Sequence, residues 1–317
     1  MKTAQIDPSV YDAAHKSVVL VDRSNLGMLK ISGKSRLDLI NRMSTQAVNN
    51  LKSGEGAATI LTTDIGRMID RLILYAASES VYALTGENHG DEIARYLMRF
   101  VFFNDDFHLQ DISADTSIFG VYGPQAAEIL DKVTGFPVVD IPLHHWREVE
   151  IAGESVYLHR TDPLNGCGYF VICDSAQANV LKETLSAVGL VYADEAAFDL
   201  LRIEAGQPRF GFEITQEYIP LEAGLWDDVS FNKGCYTGQE IIARMESRGK
   251  LAKQLIKLAA GGLLQAGEEI KSGDKVVGTI TSTAAAEEGA LALGYVKSTA
   301  LEGSEPLVSG GEILRRV

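Results

Sequence analysis

The chain has 317 residues, of which 46% are hydrophobic and 23% charged, as in an ordinary soluble globular protein. The formal net charge of −14 and the lack of a Lys/Arg cluster argue against a nucleic-acid binder. Three cysteines (Cys167, Cys173 and Cys235) without a C-x-x-C pair argue against a disulfide framework, an iron–sulfur site or structural zinc. Without a signal-peptide pattern or an apolar run of about 20 residues, we expect a cytoplasmic protein of about two domains with no membrane partner.

The first hundred residues predict an antiparallel meander with helices. Strands are predicted at 18–21, 28–32, 57–62, 68–75 and 81–85. One helix opens at 32–34 and places Leu37, Ile40 and Met43 on one face, and a second helix covers 91–102. This order of elements indicates helices packed on one side of a sheet.

The next hundred residues repeat this kind of pattern. Strands are predicted at 117–121, 149–159 and 169–173. A helix over 125–133 starts after Pro124 and ends at Gly135, another runs from Ser175 to Gly189, and a third is capped by Asp194. The chain therefore predicts two related α+β units with mixed or antiparallel sheets.

The character of the sequence changes after Gly249. Short strands are predicted at 251–258, 269–271, 276–282, 291–296 and 313–317, separated by glycine-containing turns. This pattern is typical of a small barrel or sandwich. We place the domain boundary near Arg248 and Gly249, which gives a first region of residues 1–248 and a second domain of residues 249–317.

The stretch K-G-C-Y-T-G-Q-E at 233–240 predicts a helix start. Thr237 and Glu240 have the spacing of a capping box, and Gly249 would end the helix that follows. Cys235 would then lie just ahead of a helix N-terminus, with Lys233 nearby, and such a setting favours a thiolate. The alternative is that Cys235 is a small buried hydrophobe beside two turn glycines.

Three acidic positions are candidate site residues. Glu204 lies late in a predicted helix, and Glu222 follows Pro220 in a loop; each could be an ordinary solvated carboxylate. Asp70 and Arg71 are neighbours on a predicted strand and so point to opposite faces. One of the two charges should face inward, where it needs a partner or a ligand. The histidine pair 144–145 faces opposite sides in the same way, and we expect no metal site.

Several segments resemble one family, the YgfZ-type folate-binding proteins, which are relatives of the aminomethyltransferase (T-protein) of the glycine cleavage system. The octapeptide at 233–240 matches the YgfZ signature residue for residue. Segments that resemble the T-protein are L-R-I-E-A-G at 201–206, P-L-E-A-G-L at 220–225, G-R-M-I-D-R-L-I-L-Y at 66–75 and G-P-Q-A at 123–126. Together they cover nearly the whole chain.

The resemblance implies an α+β fold: a T-protein-like cloverleaf of two interleaved ferredoxin-like domains and a small C-terminal β-barrel. Tetrahydrofolate, or a one-carbon derivative of it, would lie in the central channel. Glu204 would bond the pterin, Lys233 would anchor the glutamate tail, and Arg71 and Glu222 complete the folate-binding candidates. A carboxylate suits the adjacent N–H donors of a pterin, and a lysine suits the tail carboxylate.

Two departures from the T-protein argue against glycine-cleavage chemistry. The T-protein strand carries Asp-Asp, whose second residue positions the reacting nitrogen of folate, whereas here the pair is Asp70-Arg71. A cation cannot take that part toward an amine. The tyrosine of the T-protein segment R-T-G-Y-T-G-E is also missing, because residues 160–166 read R-T-D-P-L-N-G.

The first functional hypothesis is a tetrahydrofolate-binding accessory protein of the YgfZ type. The resemblance implies support of iron–sulfur cluster assembly or repair, with Cys235 as a functional thiolate and iron–sulfur client proteins as partners. The alternative is an enzyme, a tetrahydrofolate-dependent aminomethyl- or methyltransferase that uses Asp70 as its acidic group. A scaffold that binds no folate is the third reading.

Overall fold

The computed structural model describes residues 6–286 and 288–317, so residues 1–5 and 287 of the two predicted domains lie outside the described part. The helices are α1 (Pro8–Lys16), α2 (Arg36–Met43), α3 (Gly90–Met98), α4 (Ala126–Thr134), α5 (Ala178–Ala187), α6 (Glu195–Glu204), α7 (Gln239–Arg248) and α8 (Ser298–Leu301). The strands are β1 (Val19–Asp22), β2 (Leu26–Ser32), β3 (Gly56–Thr62), β4 (Met68–Ala76), β5 (Ser80–Glu87), β6 (His108–Asp111), β7 (Thr116–Gly123), β8 (Trp146–Ile151), β9 (Glu154–Arg160), β10 (Cys167–Asp174), β11 (Val191–Ala193), β12 (Lys253–Ala260), β13 (Glu269–Ser272), β14 (Lys275–Ala285), β15 (Ala290–Lys297), β16 (Leu307–Ser309) and β17 (Glu312–Arg316). None of the helices in this part of the chain is long and apolar enough to cross a membrane.

Two sheets share the first region of the chain. A five-stranded antiparallel sheet has the order β3-β4-β5-β2-β6, and a six-stranded sheet has the order β11-β1-β7-β10-β9-β8. Only the β1–β11 pair of the six-stranded sheet is parallel. The chain enters the six-stranded sheet at β1, builds the five-stranded sheet, and returns at β7, so the two units are interleaved as expected.

The inner faces of these two sheets pack against each other. Their shared core contains Met28, Ile73 and Tyr75 from one sheet and Phe170 and Ile172 from the other. The outer faces form separate cores, one with α2 and α3 and the other with α4 and α5. This layering confirms the α+β class.

The C-terminal strands close into a barrel with the order β12-β15-β14-β13-β16-β17. The prediction of a small barrel or sandwich is thereby resolved in favour of the barrel. The sequence pattern missed β16, a three-residue strand. Leu200 and Ile203 of α6 pack on Ala284 and Leu293 of the barrel, so α6 fixes the barrel to the two sheets.

Several local predictions were wrong: the helix expected over 91–102 ends at Met98, and two further errors concern a strand and a helix start. The single strand expected over 149–159 is a hairpin, β8 and β9, because Ala152 and Gly153 both have positive φ and reverse the chain. The capping box is also absent: α7 starts after Gly238, whose φ is 82°, so Thr237 lies one residue too early to cap it. A Cβ at Gly238 would come within 2.6 Å of the Thr63 carbonyl oxygen, so close packing demands glycine there.

Candidate functional site

A cavity of about 120 Å³ lies where the two sheets meet the segment that follows α6. Its apolar walls include Ile73, Tyr122, Phe170, Phe198 and Phe210. Its charged lining consists of Arg23, Asp70, Arg71, Glu87, Asp162, Arg202 and Arg209. We call it the central cavity. Aromatic walls with several charged groups are typical of a site that binds a polar planar ligand.

Arg71 lies on β4 and forms ion pairs with two aspartates from distant loops. Its Nε donates to Asp228 Oδ2 at 2.6 Å and its Nη1 to Asp162 Oδ2 at 2.7 Å. Burial opposes the charge of Arg71, but Asp162 and Asp228 raise its pKa further above the ordinary value. Burial likewise opposes the charge of Asp162, yet Arg71 holds the pKa of that carboxyl below its usual range. Arg71 is therefore a permanent cation with no capacity to accept a proton.

Asp70, next to Arg71 on β4, is fully buried. Its carboxylate accepts from the backbone N–H groups of Arg71 and Gly86, and its Oδ2 lies 2.9 Å from Nδ1 of His89. Burial raises the pKa of Asp70 in spite of these bonds. Burial opposes protonation of His89, but the hydrogen bonds and charges of Asp70 and Glu92 raise its pKa above the ordinary value. The arrangement is a buried carboxylate–imidazole pair beside the cavity.

This pair makes a testable contribution to stability. Because the pKa of His89 is raised in the folded protein, its contribution is fully present below the ordinary histidine pKa and is lost as pH rises through the folded value. We expect His89→Gln to lower the free energy of unfolding by about 1–2 kcal/mol at pH 5.5 and by less at pH 8.5. Urea unfolding at both pH values measures this, with the exposed His108→Gln as the control. An equal loss of unfolding free energy at the two pH values would contradict a charged interaction between His89 and Asp70.

Arg23 and Arg209 share one carboxylate at the opposite wall. Arg23 Nη2 donates to Glu87 Oε1 at 2.6 Å, and Arg209 Nε donates to Glu87 Oε2 at 3.0 Å. Arg209 also pairs with Asp199 and Glu195. Arg23 Nη1 is buried and has no hydrogen-bond partner within the described residues. The wall thus presents one unsatisfied cationic donor.

A second, larger cavity adjoins the first. It measures about 780 Å³ and shares Phe210 and Ile214 with the central cavity, while His89 stands at its edge. Two cations line it, Arg95 of α3 and Arg99, the residue that follows α3. The central cavity is smaller than the roughly 300–1,000 Å³ of sites for whole ligands, so a longer ligand would extend from one cavity into the other.

Of the six predicted site residues, the structure brings only Asp70 and Arg71 to the central cavity lining. Glu204 contacts α1 instead. Its Oε1 accepts from the Tyr11 hydroxyl at 3.1 Å and its Oε2 lies 3.0 Å from Nε2 of His15. Glu222 is buried in its own loop, where it accepts from the backbone N–H of Ile219.

Lys233 is tied to the backbone. Its Nζ donates to the carbonyl oxygens of Asn41, Ser44 and Gln46 at 2.7–2.8 Å, which uses all three donors of the ammonium. Burial lowers its pKa to about 8. A ligand carboxylate would have to displace one of these carbonyls, so the tail-anchor role of Lys233 stays a prediction. Cys235, two residues on, is exposed rather than buried.

Sequence reasoning missed most of the charged groups around the central cavity. Asp162 enters the sequence analysis only within a segment that departs from the family, and His89 does not enter it at all. Arg23, Glu87 and Asp228 gave no signal at all. An Asp three residues after P-L-E-A-G-L and a His two residues after a strand are weak signals, because their meaning depends on partners far away in the chain. Within the described residues no group of three or more His, Cys, Asp or Glu could hold a metal ion.

Comparisons with known proteins agree with this architecture. The family model described as GCVT N-terminal domain matches residues 9–233. A putative chloroplastic transferase of Arabidopsis thaliana is 28% identical over 309 residues, which cover 97% of this chain and 72% of the relative. An aminomethyltransferase of Halalkalibacterium halodurans is 28% identical over 280 residues, covering 86% and 76%. The crystal structure of glycine cleavage system aminomethyltransferase T from Bartonella henselae shares the fold, with a TM-score of 0.82, 20% identity and coverage of 95% and 84%.

Proposed function

Because the chain belongs to the GCVT N-terminal domain family, whose members use tetrahydrofolate, we propose that it binds tetrahydrofolate or a one-carbon derivative in the central cavity. We further propose that it acts as an accessory protein of the YgfZ type, which supports iron–sulfur cluster assembly or repair, rather than as a glycine-cleavage enzyme. Folate binding and the accessory role are separate parts of this proposal, and different observations support them.

The lining of the central cavity supports folate binding. Phe170, Phe198 and Phe210 give the cavity aromatic walls against which a planar ring could pack, and Arg23 offers a buried donor that lacks an acceptor within the described residues. The roughly 150 Å³ that holds a benzene-sized ring exceeds the about 120 Å³ of this cavity, so a bicyclic pterin would enter it with one edge and extend past Phe210 toward the adjoining cavity. The rest of the molecule would lie in the adjoining cavity near Arg95 and Arg99. When bound, a tetrahydrofolate would supply nitrogens that carry a one-carbon unit.

The single observation on which the accessory role rests is that position 71 holds an ion-paired arginine. The family resemblance puts an acidic residue at this position in the T-protein, where it acts on the folate nitrogen. Here the position holds a cation that lines the cavity and is locked between Asp162 and Asp228. A guanidinium with a raised pKa takes no proton from an amine, so position 71 can bind a ligand but cannot act as a base.

Calorimetric titration with folinic acid tests the binding part of the proposal. We expect saturable binding at a stoichiometry of one. Titration with p-aminobenzoyl glutamate, which lacks the pterin, is the matched control and should give no heat of binding at the same concentrations. The absence of folinic-acid binding would overturn the proposed function and favour the scaffold reading.

The accessory part requires a cellular test. Cys235 is exposed near the start of α7, in a position where a partner protein could reach it. We propose it as the functional thiolate, with iron–sulfur proteins as clients and a cytoplasmic location. In a strain that lacks the protein, Cys235→Ser should restore iron–sulfur enzyme activity poorly, whereas Cys167→Ser should restore it as the wild type does. Full rescue by Cys235→Ser would contradict the role of the thiol.

One observation favours a second function, an aminomethyl- or methyltransferase. Asp70 is buried in the lining of the central cavity, and its hydrogen-bond partner His89 is partly buried in the lining of the adjoining cavity. Such a pair could hold or move a proton at the ligand. An assay of tetrahydrofolate-dependent ammonia release from an aminomethyl-lipoyl carrier protein separates the two functions. Robust turnover that is lost in Asp70→Asn would favour the enzyme.

A further inference from the structure

Arg23 is the first residue after β1, and its side chain is 6% exposed at the wall of the central cavity. Nη2 is committed to Glu87, but Nη1 is buried without a hydrogen-bond partner within the described residues. Buried charged donors are nearly always paired, because an unmade hydrogen bond of a charged group is costly. The unpaired Nη1 therefore indicates a ligand acceptor.

The surroundings of Arg23 hold its guanidinium still. Phe198 lies against one face, with its ring centroid 3.9 Å from Cζ. This contact covers the face of the guanidinium, whereas its N–H bonds lie in the plane and still need an acceptor. Glu87 is itself held from the other side by Arg209, so the carboxylate that orients Arg23 is fixed. The donor is therefore preorganised.

We propose that Arg23 selects the ring of the ligand by donating from Nη1 to a ring carbonyl oxygen, which in a folate is the 4-oxo oxygen of the pterin. This inference rests on the proposed folate binding and adds the residue that decides which pteridines bind. A 4-amino ring places N–H donors where the carbonyl stood. Donor would then face donor, and a site built around one hydrogen bond rejects the analogue that cannot make it.

The test compares tetrahydrofolate with its 4-amino-4-deoxy analogue, which differs in the substituent at C4 and, as a consequence, lacks the proton at N3. Both are titrated calorimetrically into the full chain under nitrogen. We expect the wild type to bind tetrahydrofolate about 10–100-fold more tightly. Arg23→Met should reduce this preference to about threefold or less, mainly through weaker binding of tetrahydrofolate. Arg23→Lys, which keeps a cationic donor, should retain part of the preference.

Arg36→Met is the matched control. Arg36 donates to the carbonyl oxygens of Gly33 and Ser78 away from the cavity, so its removal should leave both affinities unchanged. Equal binding of the two ligands by the wild type would overturn the inference, and this measurement needs no variant that could fail to fold. A folded Arg23→Met with the wild-type preference would also overturn it. If neither ligand binds the wild type, the proposed function fails and the inference fails with it.

Discussion

Replacing Glu213 by alanine is expected to lower the free energy of unfolding by about 3–5 kcal/mol. Glu213 is fully buried in the segment that follows α6. Its Oε2 accepts from Arg202 Nη1 at 3.0 Å, and its Oε1 accepts from the hydroxyls of Thr281 and Ser282 on β14 at 2.6 Å. Alanine would remove this shared acceptor, and Arg202 would keep only the partly exposed Asp199 as a carboxylate partner within the described residues.

The expected loss has a structural consequence at the site. Arg202 lines the central cavity and reaches the barrel through Ser282, so the pair with Glu213 ties the cavity wall to the barrel. Urea unfolding followed by circular dichroism measures the loss. Glu246→Ala, an exposed carboxylate on α7, should change the free energy of unfolding by less than about 0.5 kcal/mol.

The double variant Arg202→Met/Glu213→Leu distinguishes a stranded charge from a lost contact. Removing both charges should recover a large part of the stability, because well-packed apolar side chains can replace a buried ion pair. If Glu213→Ala costs less than about 1.5 kcal/mol, or if the double variant is as unstable as the two single losses added together, the charge explanation is wrong.

Replacing Arg71 by methionine is expected to lower the free energy of unfolding by about 2–4 kcal/mol at pH 8. This value is below that of a fully buried ion pair because Asp162 is partly exposed to solvent. Two carboxylates, Asp162 and Asp228, would lose their shared cation. In the wild type the pKa of Asp162 is lowered, so its contribution is present above the ordinary aspartate pKa and is lost as pH falls. Without Arg71, burial alone would raise the pKa of Asp162, and the contribution of this residue to stability would then increase as the pH falls.

The cost of Arg71→Met should therefore shrink as the pH is lowered from 8 toward 4.5, because protonation then relieves the repulsion of the two aspartates. Urea unfolding at pH 8, 6 and 4.5 measures this trend. Arg95→Met, which removes an exposed pair with Asp91, should cost no more than about 1 kcal/mol at any of these values. A cost for Arg71→Met that is independent of pH would show that packing, rather than charge, is lost.

The structure also explains why the candidate site could be predicted only in part. Asp70 and Arg71 stood out because two adjacent opposite charges on a strand are unusual whatever the fold. Glu204 and Lys233 were selected by family resemblance, and the structure gives both of them partners within the chain: Tyr11 and His15 for Glu204, and three backbone carbonyls for Lys233. Neither set of partners leaves a local trace in the sequence.

By itself the sequence determined the α+β class, the antiparallel meander, the interleaving implied by the family resemblance, and the strand-rich C-terminal domain. Apart from the interleaving, which only the resemblance implied, these features follow from the period of apolar residues and from turn residues, which act over a few positions. Only the tertiary structure decided which charges meet. Arg71 finds Asp162 and Asp228 at separations of 91 and 157 residues, and Arg23 finds Glu87 at 64. Ion pairs form between whichever groups the packed sheets bring together, and no pattern of neighbouring residues specifies such pairs.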